Sequence, residues 1–132
     1  MNKDDMNGAN NKKRILVVED NLRNLKLVRD VLRIAGFETI EANDGSRGVE
    51  IAREEQPDLI LMDIRMPVMD GFEALLILKE DPGTKHIPVI ALTASAMPNE
   101  RERVLGHGFD GYIPKPVDID ELIKIVTDFI SR

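Results

Sequence analysis

The chain has no cysteine and no tryptophan, and its aromatics are one tyrosine and four phenylalanines. Without cysteine it can form neither disulfides nor a thiolate metal centre, which fits a reducing cytoplasm. No apolar run approaches the ~20 residues needed to cross a bilayer, and the first residues lack a signal-peptide pattern. Basic side chains are the minority, 18 against 24 acidic, for a net charge of −6. An acidic chain with no basic patch or aromatic platform is a poor candidate for direct nucleic-acid binding. These absences leave a cytoplasmic protein that engages neither membrane nor nucleic acid. What is present, 132 residues with 42% hydrophobic and 32% charged content, suffices for one domain around a single core.

Residues 1–13 are polar and without apolar periodicity, and read as a disordered tail. Residues 14–132 read as the domain, in which strand-like and helix-like segments alternate five times. Ile15-Leu16-Val17-Val18 and Leu59-Ile60-Leu61-Met62 have the length and branching of buried strands. Residues 37–42, 88–92 and 111–114 read as the other three. Helical faces carry Leu25, Val28, Val31, Leu32 and Ala35, stopped by Gly36, then Val49 and Ala52, then Phe72, Leu75, Leu76 and Leu78. A fourth helix spans residues 99–105. The fifth opens at Asp118, a cap with Glu121 three residues on, and buries most of an arc from Ile119 to Ile130. Ile123 and Ile125 lie at the two edges of that arc, where plain packing is favoured over contact with a partner. Five such units imply a parallel sheet covered by helices on both faces, with right-handed crossovers.

Open parallel sheets bind ligands at the carboxyl ends of their strands. A dinucleotide binder has a glycine-rich turn after its first strand; this chain has Glu19-Asp20-Asn21. The third strand runs directly into Asp63. Carboxylates gathered at one edge repel each other unless a cation joins them, and they favour a hard cation such as Mg²⁺ over a phosphate. Asp20 and Asp63 suit direct ligation, and the longer Glu19 suits ligation through a water. Alone, the acidic pair also reads as a helix cap, by Asp20 or Asn21. The fourth strand ends in Thr93-Ala94-Ser95, and Lys115-Pro116 follows the fifth. A hydroxyl, a small residue and an ammonium thus join three carboxylates. With a cation and Lys115 nearby, Asp63 stays ionised and can attack a phosphoryl group to form an aspartyl phosphate. Lys115 and Thr93 then bind the transferred oxygens, and Ala94 leaves room for them.

Four motifs, Leu16-Val17-Val18-Glu19-Asp20, Met62-Asp63 with Met66-Pro67-Val68-Met69-Asp70-Gly71, Leu92-Thr93-Ala94, and Gly111-Tyr112-Ile113-Pro114-Lys115-Pro116, are together highly specific. Over residues 14–130 the chain resembles the receiver domain of two-component response regulators. The resemblance implies an α/β, flavodoxin-like, doubly wound five-stranded parallel sheet of order 2-1-3-4-5 with five helices. It assigns Asp63 as phosphoacceptor, and Glu19, Asp20, Asp63 and the Arg65 backbone carbonyl as Mg²⁺ ligands. Lys115 matches the phosphate-binding lysine, and Thr93 and Tyr112 match the switch pair. Arg65 and Ser95 fall where phosphoryl lifetime is tuned, and the bond from Lys115 to Pro116 is often cis in the family. Glu19 departs mildly from the more usual aspartate.

The function implied is a phosphorylation-activated switch in a two-component system or phosphorelay. Its phosphoryl donor is a histidine kinase or histidine phosphotransfer domain. It catalyses only its own phosphorylation and dephosphorylation, and so is not an enzyme toward other molecules. It acts as a monomer or a phosphorylation-dependent homodimer. Output to an unidentified protein target is expected at the fourth helix, fifth strand and fifth helix, near Arg101, Arg103, Tyr112 and Lys124. Asp110-Gly111-Tyr112 and the ending at Arg132 resemble single-domain regulators, or receivers in hybrid kinases, with no output domain expected. A Mg²⁺-dependent aspartyl phosphatase is the competing enzyme reading, but such enzymes carry a second aspartate where this chain has Arg65, and His86 and His107 read as surface residues. A phosphorylation-independent scaffold is the competing binding reading, opposed by the full set of Asp63, Thr93 and Lys115.

Overall fold

The computed structural model describes residues 12–94 and 97–132. Among these, strands and helices alternate: β1 (Arg14–Val18), α1 (Leu22–Ile34), β2 (Glu38–Ala42), α2 (Gly45–Glu55), β3 (Leu59–Asp63), α3 (Gly71–Glu80), β4 (Val89–Thr93), α4 (Glu100–Gly106), β5 (Gly111–Pro114) and α5 (Ile119–Ile130). All pairings are parallel, in the order β2-β1-β3-β4-β5. This is the flavodoxin-like order that the family resemblance implies.

The sheet's composition follows from what each strand faces. Every residue of β3 and β4 is buried, as a strand covered on both faces requires. The edge strand β2 buries only Ala42. Because side chains alternate along a strand, the core divides in two. Leu16, Val18, Ile60, Met62, Val89 and Ala91 pack against Val49 and Ala52 of α2, Leu75 and Leu78 of α3, and Val104 of α4. Ile15, Val17, Leu59, Leu61, Ile90 and Leu92 pack against Leu25, Val28 and Leu32 of α1 and Leu122 and Val126 of α5. Truncating any fully buried leucine of this set costs ~2–5 kcal/mol through lost transfer energy and the cavity left behind.

Side chains fix the helix starts. Asn21, not Asp20, caps α1 by accepting from Asn24 N–H at 3.0 Å, so Asp20 is not engaged at that helix end. Asp70 and Glu73 form a reciprocal capping box on α3. Asp118 accepts from Glu121 N–H at 2.9 Å, as its position predicts. Gly36 ends α1 at φ +101°, a conformation open to glycine and costly elsewhere.

The differences from expectation are local. The tail expected over residues 1–13 falls mostly outside the described residues, but the Lys13 carbonyl already accepts from Glu38 N–H at 2.9 Å. Sheet pairing therefore begins before Arg14. The fourth strand is shifted by one residue, to Val89–Thr93. The helix expected at residue 99 starts at Glu100: Asn99 stands at φ +67° and makes no side-chain cap bond. At the edges of α5, Ile119 is 48% exposed, and Ile123 and Ile125 are half-buried against the core. No helix among the described residues is long and apolar enough to cross a membrane.

Candidate functional site

Parallel strands finish at one edge, so residues far apart in sequence meet there. Glu19 follows β1, Asp63 closes β3 and Lys115 follows β5. The Lys115 backbone N–H donates to the Thr93 carbonyl at 2.8 Å, which anchors its chain to the end of β4. Its long side chain then spans β4 to place Nζ 3.2 Å from Asp63 Oδ2 and 2.7 Å from Glu19 Oε1. Carboxylate oxygens of Glu19, Asp20 and Asp63 all lie within 4.8 Å of one another. Gly71 allows α3 to start against this edge. A Cβ there would sit 2.7 Å from the Asp63 carbonyl oxygen and 2.8 Å from Ile64 Cα.

The electrostatics are unbalanced. Glu19 is fully buried and Asp63 is 4% exposed, while Asp20 lies open to solvent. Three carboxylates face one ammonium. Burial, then the Glu19 carboxylate, pushes Asp63 up to about 7, and Lys115 only partly opposes them. Glu19 Oε2 accepts from Asn21 N–H at 3.1 Å, whereas Oε1 touches Lys115 as an ion contact without an aligned hydrogen bond. Arg65 N–H reaches Asp63 Oδ1 at 3.3 Å, a long and weak contact. An all-oxygen donor set with excess negative charge fits a hard divalent cation.

Four predicted residues, Glu19, Asp20, Asp63 and Lys115, therefore form one cluster. Ala94 is exposed beyond β4, and the Lys115–Pro116 bond is cis. Tyr112 is half-buried against the core on the α3–α4 side. Ser95 lies outside the described residues. His86 and His107 are exposed, as their positions suggested.

Thr93 is buried at the end of β4, and its hydroxyl donates to Glu100 Oε2 at 2.9 Å. Glu100 is a buried acid that sequence reasoning missed. An Asn-Glu pair at a helix start reads as an ordinary cap and first turn. Only its spacing to Arg103, three residues on, hinted at a partner. Arg103, expected on the output face, turns its guanidinium to Glu100 and over Phe72.

Residues 15–127 match the family of the response regulator receiver domain. The chain is 42% identical over 119 residues to the polar-differentiation response regulator DivK of Brucella anthropi, covering 90% of this chain and 97% of that one. Its fold superimposes on the receiver domain of the sensor histidine kinase PA1611 from Pseudomonas aeruginosa with a TM-score of 0.85 and 36% identity, covering 92% of this chain and 99% of the other. That receiver has a magnesium ion coordinated in its active-site cleft. The chemotaxis protein CheY4 of Vibrio cholerae gives a TM-score of 0.82 at 28% identity, covering 89% and 98%. The motifs, the strand order and the cluster at the carboxyl edge thus agree with these matches, and the chain belongs to the response regulator receiver domain family.

Proposed function

We propose that this receiver works as a switch thrown by phosphorylation of Asp63, with phosphohistidine on a histidine kinase or phosphotransfer domain as the donor. In the transfer, an Asp63 carboxylate oxygen forms a bond to phosphorus while the phosphorus–nitrogen bond of the phosphohistidine breaks. The imidazole leaves with that electron pair and takes a proton from solvent. The observation that carries the reading is the convergence of Glu19, Asp20, Asp63 and Lys115.

Asp63 attacks only when ionised, and in the bare cluster it is held near neutrality up to about 7. Lys115 favours the ionised form and lies where it can pair with a transferred oxygen. The residues fit Mg²⁺, which Asp20, Asp63, the Arg65 carbonyl and Glu19 through a water would hold; when bound it supplies positive charge that lowers Asp63's proton affinity and offsets charge on the phosphoryl group. Thr93 supplies a hydroxyl donor for a phosphoryl oxygen, and the exposed Ala94 leaves room beside it. Tyr112, half-buried on the same side of the sheet as Thr93's partner Glu100, would report the movement to the face of α4, β5 and α5.

Mixing the chain with a panel of ³²P-labelled phosphotransfer domains tests this reading. The expected result is rapid transfer of label from at least one donor to the wild type, and none to Asp63→Asn. Label that persists on Asp63→Asn overturns Asp63 as acceptor. Steady turnover of a generic phosphomonoester would favour the phosphatase reading instead.

A further inference from the structure

Glu100 is a buried charge for which the phosphoryl chemistry above has no use. It is the first residue of α4 and only 4% exposed. Its two oxygens are divided between two partners. Oε1 accepts from Arg103 Nε at 3.0 Å and Nη2 at 2.8 Å, and Oε2 accepts the Thr93 hydroxyl proton at 2.9 Å. The Arg103 guanidinium is itself positioned, 5.0 Å over the centroid of Phe72. His107, whose Nδ1 lies 2.8 Å from the Arg103 carbonyl, lies against the same ring, with centroids 4.2 Å apart and planes tilted by 41°. Burial pushes Glu100 upward, but its bonds to Arg103 and Thr93 and the nearby charges of Arg103 and Arg65 outweigh this and hold it below the usual range. It is therefore an ionised acceptor, and charge-assisted hydrogen bonds are the stronger kind.

A threonine hydroxyl has one proton. Thr93 can donate it to Glu100 or to a phosphoryl oxygen on Asp63, but not to both. We infer that Glu100, fixed by Arg103, is a positioning residue that holds the Thr93 hydroxyl on the α4 side of the sheet and so competes with the phosphoryl group for it. The inference rests on the reading of Asp63 as phosphoacceptor and Thr93 as a ligand of the phosphoryl group. Two consequences follow. The phosphorylated arrangement must break the bond from Thr93 to Glu100 before it gains its own. Breaking it also removes a tie between the end of β4 and the first turn of α4, so the start of that helix is freed by the same event.

A bland alternative is that Glu100 only secures the start of α4 through Arg103. The two differ in whether Glu100 acts through the Thr93 hydroxyl, which a double-mutant cycle on the full chain separates. Beryllofluoride with Mg²⁺ is the probe, a stand-in for the phosphoryl group, and its affinity is read by calorimetry. Removing a charged acceptor should release the hydroxyl, so Glu100→Ala is expected to bind the probe about tenfold more tightly than wild type. Glu100→Gln keeps the shape and a weaker, neutral acceptor, and is expected to tighten binding by about threefold. In a Thr93→Ala background neither substitution should change the affinity. Should Glu100→Ala fail to fold, Glu100→Gln completes the cycle alone. Unchanged or weaker binding in the Glu100 variants, or the same tightening with Thr93 absent, overturns the inference. Wild type that binds no beryllofluoride would sink the Asp63 reading itself, and this inference with it. Wild type that binds, is silenced by Asp63→Asn and ignores Glu100 would sink only the positioning role.

Discussion

At the scale of single residues, the balance that matters is at Asp63. Its side chain is buried beside a second buried acid, so the proton stays on to about 7. In the unfolded chain an aspartate releases its proton near ~3.9. Between those values the folded chain binds more protons than the unfolded one, and stability must fall as pH rises. The contribution is complete below ~4 and is lost as pH passes about 7. With divalent cations removed by EDTA, the ionised Asp63 is then expected to cost on the order of 2–4 kcal/mol at pH 8. Asp63→Asn carries no such charge. Urea unfolding in EDTA should find that variant more stable than wild type at pH 8, with the gap narrowing toward pH 4. Mg²⁺ should close the gap at pH 8 by stabilising the wild type alone. A gap independent of pH would mean that the cost does not come from the ionised carboxylate.

At the scale of elements, the site depends on how closely α3 approaches the end of β3. Gly71 is the point of contact, and the atoms a Cβ would meet are backbone atoms that cannot swing aside. Gly71→Ala is expected to cost about 1–3 kcal/mol by urea unfolding and to weaken Mg²⁺ binding, because α3 must move off the strand that carries Asp63. Gly106→Ala is the control, since a Cβ there meets nothing within 4 Å. Equal stability and metal affinity in both variants would contradict the tight approach. The elements themselves were largely legible in the sequence. Buried strands are continuous apolar runs, and here β1, β3 and β4 stop at residues of another kind: Glu19, Asp63 and Thr93. Asp118 declared its cap because the acid stands at the right distance from the helix's first amides. The start of α4 was not legible. Asn99 looks like a cap yet adopts φ +67°, and the full role of Glu100 depends on Thr93, which is brought to it by the sheet rather than by local spacing. The complete burial of Glu19 was hidden for the same reason, because nothing local marks an acid that packing will remove from water.

At the scale of the whole molecule, the strand order β2-β1-β3-β4-β5 does two things. It sets β1 and β3 side by side, so that three carboxylates gather, and it leaves β4 and β5 beyond them to supply Thr93 and Lys115. The acids Glu19, Asp20 and Asp63 and the residues Thr93 and Lys115 therefore occupy adjacent positions along one edge. The faces behind that edge are packed cores. The proposed function requires that this convergence make Asp63 a cation-dependent phosphoryl acceptor. Its most direct test is intact-mass measurement after incubation with acetyl phosphate, with Mg²⁺ and with EDTA, for wild type and Asp63→Asn. One phosphoryl equivalent is expected on the wild type in Mg²⁺, labile to hydroxylamine, and none in EDTA or on Asp63→Asn. Phosphate that remains on Asp63→Asn, or incorporation undiminished by EDTA, would contradict it.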